Sequence, residues 1–403
     1  MNFLSDMIEK NLNKYSSKPY VFEKEYNSWK SISYKDFIHR VKNIAATLLN
    51  LNMLGKKIAI LSDNSANYMA CDLAVMAYVG TVVNLNTFIN ENTLRVILNK
   101  VHPDLFIYSN KYEYLLNSLN ITNKCDIDIL CSYNSDFDTG FSFHYLNENK
   151  CIKTIFTSGT TGDPKAVMLS LNNIISCIDC FEKRLKFCDC DIFYLFLPMY
   201  HAYGGIYNFL YSFMYGASIY LCSDKKKIFD EILTINPTIV CCVPIIFERI
   251  YSKYGENVKK VFGKNIRCIF CAGANFDFKL KKIFKSNFNL IEAYGLSETT
   301  SVISEEYLND DIDESVGTIY ESIQVKILDA DLDGYGEIAV KGDNVFIGYD
   351  GDMDIYKQCF TTDGFFKTGD IGKICANKIF YKYRKGTNNK LINGTFKNRI
   401  IET

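Results

Sequence analysis

The sequence predicts an α/β fold: two mostly parallel sheet subdomains with their helices, followed by an antiparallel, barrel-like subdomain. Three observations predict it. Through the first half of the chain short apolar runs alternate with amphipathic helical stretches, the rhythm of parallel sheets. From about Gly317 the texture changes to short alternating strands punctuated by Asp333-Gly334, Gly336, Lys341-Gly342 and Asp363-Gly364, as antiparallel hairpins require. A chain of 403 residues also exceeds what one small core can organise. The expected division is 1–382 as one large unit, with its barrel-like part at about 317–382, and 383–403 as a hinge with the stub of a second domain.

Taken in order, Ser33 followed by Asp36 resembles a capping box, and Phe37, Val41, Ile44, Ala45 and Leu48 form one apolar helical face. Gly55 is the expected stop of that helix. Residues 57–62 read as a strand, a polar turn follows, and a helix through 72–76 closes near Gly80 before a strand at 81–85. The same rhythm recurs at 104–109, at 127–131 and after Cys151. Between Asp191 and Asp224 no side chain is formally charged, a length that would span a bilayer. Pro198, His201, Gly204, Gly205 and Gly216 interrupt it, so it reads as strand, loop, buried helix and strand.

Composition excludes some classes. Hydrophobic residues make up 48% and charged residues 23%, with Lys+Arg 45 against Asp+Glu 46 and a net charge of -1. That is a folded globular balance, and it supplies no basic face for nucleic acid. No apolar signal followed by a small-residue cleavage site is readable at the N-terminus, which predicts a cytoplasmic protein. Fifteen cysteines are then expected to be reduced and mostly buried. Cys177/Cys180 and Cys268/Cys271 have CxxC spacing. The second pair lies in a strand-like run, where an offset of three points to opposite faces, and no His accompanies the first, so core packing outweighs zinc.

The most informative segment is an apolar strand that ends in Thr157, Ser158, Gly159, Thr160, Thr161 and Gly162, followed by Pro164 and Lys165. Glycines let the backbone approach a ligand closely, and successive N–H groups with hydroxyls cradle phosphate oxygens, to which Lys165 adds a point charge. The Gly-Lys-Ser/Thr ending of a Walker loop is missing.

This run resembles the phosphate-loop signature of the acyl-adenylate-forming superfamily, which includes acyl-CoA synthetases, luciferases and the adenylation domains of peptide synthetases. More of the pattern follows in order: Pro198 to His201 resembles its Pro-x-x-His segment, Ala272-Gly273-Ala274 the adenine segment, and Tyr294-Gly295-Leu296-Ser297-Glu298 its Tyr-Gly-x-Thr-Glu segment, with Ser for Thr. Thr368-Gly369-Asp370 and Arg384 complete the series. The resemblance covers about 20–394 and implies the family's large AMP-binding N-terminal domain. Residues 72–85 and 243–251 look most like the fatty acyl-CoA synthetase branch. Ala202, Tyr203, Gly204 and Gly205 stand where the amino-acid-activating branch places an Asp, which argues against an amino acid substrate.

The resemblance implies roles residue by residue. Thr157 to Gly162 and Lys165 hold the ATP phosphates. Glu298 is the Mg²⁺ ligand, and Ser297 donates to the α-phosphate. Gly273, Ala274, Tyr294 and Gly295 border the nucleotide, Asp370 takes the ribose hydroxyls, and Arg384 pairs with ribose or phosphate oxygens. His201 borders the acyl pocket and α-phosphate, with Tyr200, Phe209, Ala293 and Leu296 as candidate pocket lining. Lys390 resembles the start of the small domain associated with thioester formation. The implied reaction consumes ATP, a carboxylic acid and CoA, or the phosphopantetheine of an acyl carrier protein.

The chain departs from the pattern at its end. In the family a mobile domain of about a hundred residues follows the hinge, whereas this sequence stops at Thr403, and the acidic residue usual beside the hinge Arg is missing after Arg384. Three readings stand: a ligase with impaired adenylation or a separately supplied small domain, an enzyme of the thiol-transfer half reaction alone, or a non-catalytic nucleotide- or acyl-binding protein. Peripheral membrane contact is a further expectation of the acyl branch.

Overall fold

The computed structural model describes residues 3–133, 149–158 and 163–386. Among these residues the strands form two sheets. In the seven-stranded sheet, Lys124–Asp126, Leu105–Tyr108, Lys57–Leu61, Thr81–Asn84 and Cys151–Ser158 run parallel, and Pro164–Ser170 and Gly348–Tyr349 add antiparallel at one edge. The thirteen-stranded sheet has a parallel block, Pro19–Glu25, Ser218–Leu221, Ile192–Leu195, Ile239–Cys242, Cys268–Cys271 and Leu290–Tyr294, edged by the hairpin strand Ser28–Ser33. It continues antiparallel through Ser304–Glu305, Thr318–Ile319, Lys378–Arg384, Phe366–Cys375, Gly336–Lys341 and Gln324–Leu328. The change from parallel to antiparallel pairing near residue 304 is the expected change of texture, reached through one continuous sheet. The expected junction at 382/383 falls inside strand Lys378–Arg384.

Local chemistry explains most boundaries. Ser33 caps helix Tyr34–Asn50 by accepting the Asp36 N–H at 3.1 Å, and the helix buries Phe37, Val41, Ile44, Ala45 and Leu48. The helix stops at Asn50 rather than near Gly55, because Asn52 already turns left-handed at φ +59°. Residues 127–131 are helical, not a strand. Asp126 accepts the N–H groups of Asp128 and Ile129 at 2.9 and 3.1 Å, so strand Lys124–Asp126 ends in a cap and helix Ile127–Ser132 begins. The uncharged stretch resolves into strand Ile192–Leu195, a loop, a wide helical segment Tyr203–Leu210 continuing to Met214, and strand Ser218–Leu221. No helix among the described residues is long and apolar enough to cross a membrane.

The cysteines bring one correction. Cys188 and Cys190, expected as thiols, are joined in a disulfide, because a tight turn around Asp189 brings their Cα atoms to 5.2 Å. The other thirteen are free. Cys177 donates to the Thr300 carbonyl at 3.0 Å, Cys180 faces the Ser322 hydroxyl at 3.3 Å, and burial pushes the thiols of Cys177, Cys268 and Cys271 far above their ordinary range. Such thiols pack as small apolar groups.

Candidate functional site

In open parallel sheets ligands bind beyond the carboxyl ends of the strands. Four parallel strands of the larger sheet deliver sequence-predicted residues there: His201 after Ile192–Leu195, Gly273 and Ala274 after Cys268–Cys271, and Gly295, Ser297 and Glu298 after Leu290–Tyr294, with Val243 opening the helix after Ile239–Cys242. Gly273 (φ +89°) and Ala274 are exposed at this edge.

The smaller sheet contributes the hairpin of strands Cys151–Ser158 and Pro164–Ser170, in which Thr157 pairs with Lys165 and Ser158 with Pro164. The predicted Gly159, Thr160, Thr161 and Gly162 lie outside the described residues, as does Lys390. Lys165 Nζ stands 5.3 Å from the centroid of the Tyr349 ring. The Tyr349 hydroxyl in turn donates to Glu298 Oε1 at 2.8 Å. The hairpin lysine and the candidate metal carboxylate, from different sheets, therefore meet at one phenol. Tyr349 was not predicted, because neither periodicity nor motif marks it; only its place in strand Gly348–Tyr349, beside Val167, puts it there.

Glu298 is aimed by a strained turn. A Cβ on Gly295 would lie 2.4 Å from the Ser301 carbonyl group, so only glycine lets the backbone double back this closely. Thr300 and Ser301 then take positive φ values of 51° and 73°, a costly conformation for a β-branched residue. The surroundings over-determine it. The Thr300 hydroxyl donates to the Asn344 carbonyl at 2.8 Å, and Asn344 Nδ2 donates to the Val302 carbonyl at 2.7 Å. Asn173, in a capping box with Ser170 at the end of strand Pro164–Ser170, donates to the carbonyls of Asp343 and Val345 at 2.7 and 2.9 Å. The hairpin and the Glu298 turn are thus fastened together a second time.

Asp370 follows Gly369 (φ +78°) on strand Phe366–Cys375 and is 3% exposed. Its Oδ2 accepts the Tyr294 hydroxyl at 2.8 Å, and Arg384, its register partner on the next strand, places Nη1 3.7 Å from Oδ1. Burial raises the Asp370 pKa, Arg384 and the Tyr294 hydrogen bond pull it back, and the nearby Glu298 charge pushes it up again. Five predicted residues, Tyr294, Gly295, Glu298, Asp370 and Arg384, are therefore one neighbourhood. Glu337, also unpredicted, accepts the Gly369 N–H at 3.0 Å and the Lys385 ammonium at 2.8 Å, tying Lys385 to the Asp370 turn.

His201 packs against Tyr200 with ring centroids 4.6 Å apart and the rings tilted by 56°, and its burial lowers its pKa to about 4. It is therefore neutral at physiological pH, an acceptor or single donor rather than a cation. The unfolded chain takes up a proton near pH 6.5, the folded site only near 4, so stability declines as pH falls between the two. Between pH 7.5 and 5.0 this amounts to about 2 kcal/mol. Glu292 and Glu305, raised to about 7 mainly by burial, act in the opposite sense. The measurement is therefore the difference in denaturant midpoint shift between the parent and His201→Asn, with the parent expected to lose more. Of the candidate pocket residues, Phe209 packs into the core against Phe37, with centroids 6.4 Å apart.

Comparison with known proteins bears on the family and the fold. Fatty acyl-CoA synthetase A of Dictyostelium discoideum is 24% identical over 86% of this chain, which spans 63% of that protein's length. A 2-succinylbenzoate–CoA ligase of Staphylococcus epidermidis is 28% identical over 85% of this chain and 70% of its own. Among solved structures, the N-terminal domain of FACL13 from Mycobacterium tuberculosis superposes with a TM-score of 0.83 at 20% identity, covering 95% of this chain and 100% of that one. The o-succinylbenzoate CoA synthetase of Bacillus subtilis in complex with its acyl-adenylate superposes with a TM-score of 0.83 at 20% identity, over 94% of this chain and 78% of its own. Both share the fold described above. Residues 8–350 match the family described as AMP-binding enzyme, and the chain belongs to that family.

Proposed function

We propose that this chain binds ATP and activates a carboxylic acid as acyl-adenylate for thioester formation with CoA. The observation that carries the reading is the meeting of Lys165, Glu298 and Asp370, which brings a cation and two buried carboxylates to the carboxyl edge of a parallel sheet. Relatives named as acyl-CoA synthetase and CoA ligase support it.

In the adenylation step a carboxylate oxygen attacks the α-phosphorus, the new O–P bond forms, and the bond to the β-phosphate oxygen breaks, releasing pyrophosphate. In the second step a thiol sulfur attacks the acyl carbon and AMP leaves. Negative charge accumulates in the first step, so catalysis is mostly positioning and electrostatics. Thr157 to Gly162 with Lys165 hold the β- and γ-phosphates, and the Ser297 hydroxyl donates toward the α-phosphate. Asp370, accepting through ionised oxygens, holds the ribose hydroxyls, with Arg384 beside it. Gly273 and Ala274 present backbone to the adenine. Neutral His201 borders the acid. Lys390 belongs to the thioester half.

Glu298 fits Mg²⁺. It is a buried hard-oxygen ligand, none of the ion pairs among the described residues involves it, and a lone carboxylate suits a cation that takes its other ligands from phosphates and water. When bound, the ion screens the polyphosphate charge. The acid is the fatty acyl type to which residues 72–85 and 243–251 point, and CoA is preferred to a carrier protein as acceptor.

ATP–pyrophosphate exchange across a panel of acids, with and without CoA, tests the reading. Exchange dependent on one class of acid is the expected result. ATP binding without exchange on any acid would favour the non-catalytic alternative.

A further inference from the structure

Segment 346–350 grips the proposed ATP site from both sides. At one end the Phe346 N–H donates to the Glu298 carbonyl at 2.9 Å. At the other the Ile347 and Asp350 N–H groups donate to the carbonyls of Met168 and Ala166, at 3.1 and 2.9 Å, on the returning strand of the phosphate hairpin. An ion pair of Asp350 with Lys57 (2.5 Å) fastens the segment to the smaller sheet, and just beyond it Asp352 pairs with Lys100 (2.8 Å) on helix Glu91–Val101. Tyr349 lies at its centre, 2% exposed and packed against Phe346 at 4.7 Å between centroids. Its hydroxyl donates to Glu298 Oε1 at 2.8 Å, and the Lys165 ammonium stands 5.3 Å from its ring centroid.

We propose that Tyr349 is a positioning residue for Mg²⁺·ATP: its ring holds the Lys165 ammonium, its hydroxyl occupies Glu298 Oε1, and Oε2 is thereby presented to the cation. This rests on the reading of Lys165 and Glu298 as ATP-site residues. The two arms of the phenol act on different groups and separate experimentally. The hydroxyl orients a metal ligand, the kind of contact whose loss costs about tenfold or more in metal affinity. The ring face attracts an ammonium, a contact worth about two- to fivefold in affinity where the ammonium keeps some solvent, as the half-buried Lys165 does.

The test is equilibrium binding of ATP as Mg²⁺ is varied, for the parent chain, Tyr349→Phe and Tyr349→Leu, with thermal melts beside it. Tyr349→Phe is expected to raise the Mg²⁺ concentration at half-saturation about tenfold. Tyr349→Leu is expected to share that shift and to bind ATP about two- to fivefold more weakly than Tyr349→Phe even at saturating Mg²⁺. In the background of Glu298→Gln the Tyr349→Phe shift should vanish, which a merely structural role would not produce. An unchanged Mg²⁺ midpoint in Tyr349→Phe, or a full shift persisting in Glu298→Gln, overturns the hydroxyl arm. Equal ATP affinity of the two variants at saturating Mg²⁺ overturns the ring arm. A parent chain whose ATP binding ignores Mg²⁺ overturns the Glu298 assignment beneath it, a distinct outcome.

Discussion

Lys153→Met is expected to destabilise the chain by about 3–5 kcal/mol, the cost of leaving a buried charge without its partner. Lys153 and Asp72 are both 0% exposed, and Lys153 Nζ lies 2.7 and 2.9 Å from the two Asp72 oxygens. Asn84 Nδ2 completes the shell, donating to Asp72 Oδ1 at 2.8 Å and to the Tyr68 hydroxyl at 2.6 Å. Desolvation lowers the Lys153 pKa while Asp72 raises it, the mark of a pair whose members need each other. The double variant Lys153→Met with Asp72→Leu is expected to recover much of the loss, because it removes both desolvation penalties. Urea midpoints of parent, both singles and the double give the coupling directly. A Lys153→Met single variant within about 1 kcal/mol of the parent would show that water reaches the pair. The pair also bears on the site. Lys153 lies on strand Cys151–Ser158, which carries Thr157, and a Cβ on Gly205, in the helix after His201, would sit 3.7 Å from its ammonium.

Asp370→Ala is expected to weaken ATP binding about a hundredfold or more. Hydrogen bonds to a charged group contribute about 1.5–3 kcal/mol each, and Asp370 is assigned two ribose hydroxyls. The change also frees the Tyr294 hydroxyl and removes the carboxylate facing Arg384. Asp370→Asn retains the shape and one acceptor, so its loss should be intermediate. Tyr294→Phe, which removes only the supporting donor, should cost about tenfold or less. The readout is ATP affinity at fixed Mg²⁺, with melting checked in each variant. Asp370→Ala with parental affinity would remove Asp370 from the nucleotide site and leave the stability prediction for Lys153 untouched.

These two expectations draw on different kinds of information. Asp370 is marked by its own neighbours in sequence, Thr368 and Gly369, since a turn glycine with φ +78° is a local requirement. Lys153 carries no such mark. Its burial follows from Asp72, a partner on helix Ala66–Ala74 that no local pattern announces. Cys188 and Cys190 failed for a related reason: composition favours thiols, but a turn around Asp189 decides whether two sulfurs meet. Residues 127–131 failed because an apolar run of that length suits strand and helix alike, and the Asp126 cap chose the helix.

The sequence by itself determined the alternation of strands and helices, the change to antiparallel pairing late in the chain, and the glycine-and-hydroxyl strand exit. These rest on periodicity and turn chemistry, which act over a few residues. Only the tertiary structure decided that Tyr349 lies between Lys165 and Glu298, that Asn344 holds the strained turn at Thr300, and that Glu337 ties Gly369 to Lys385. Those contacts join the two sheets, or strands distant in sequence. No local pattern encodes them, because pairing across sheets depends on how whole faces pack.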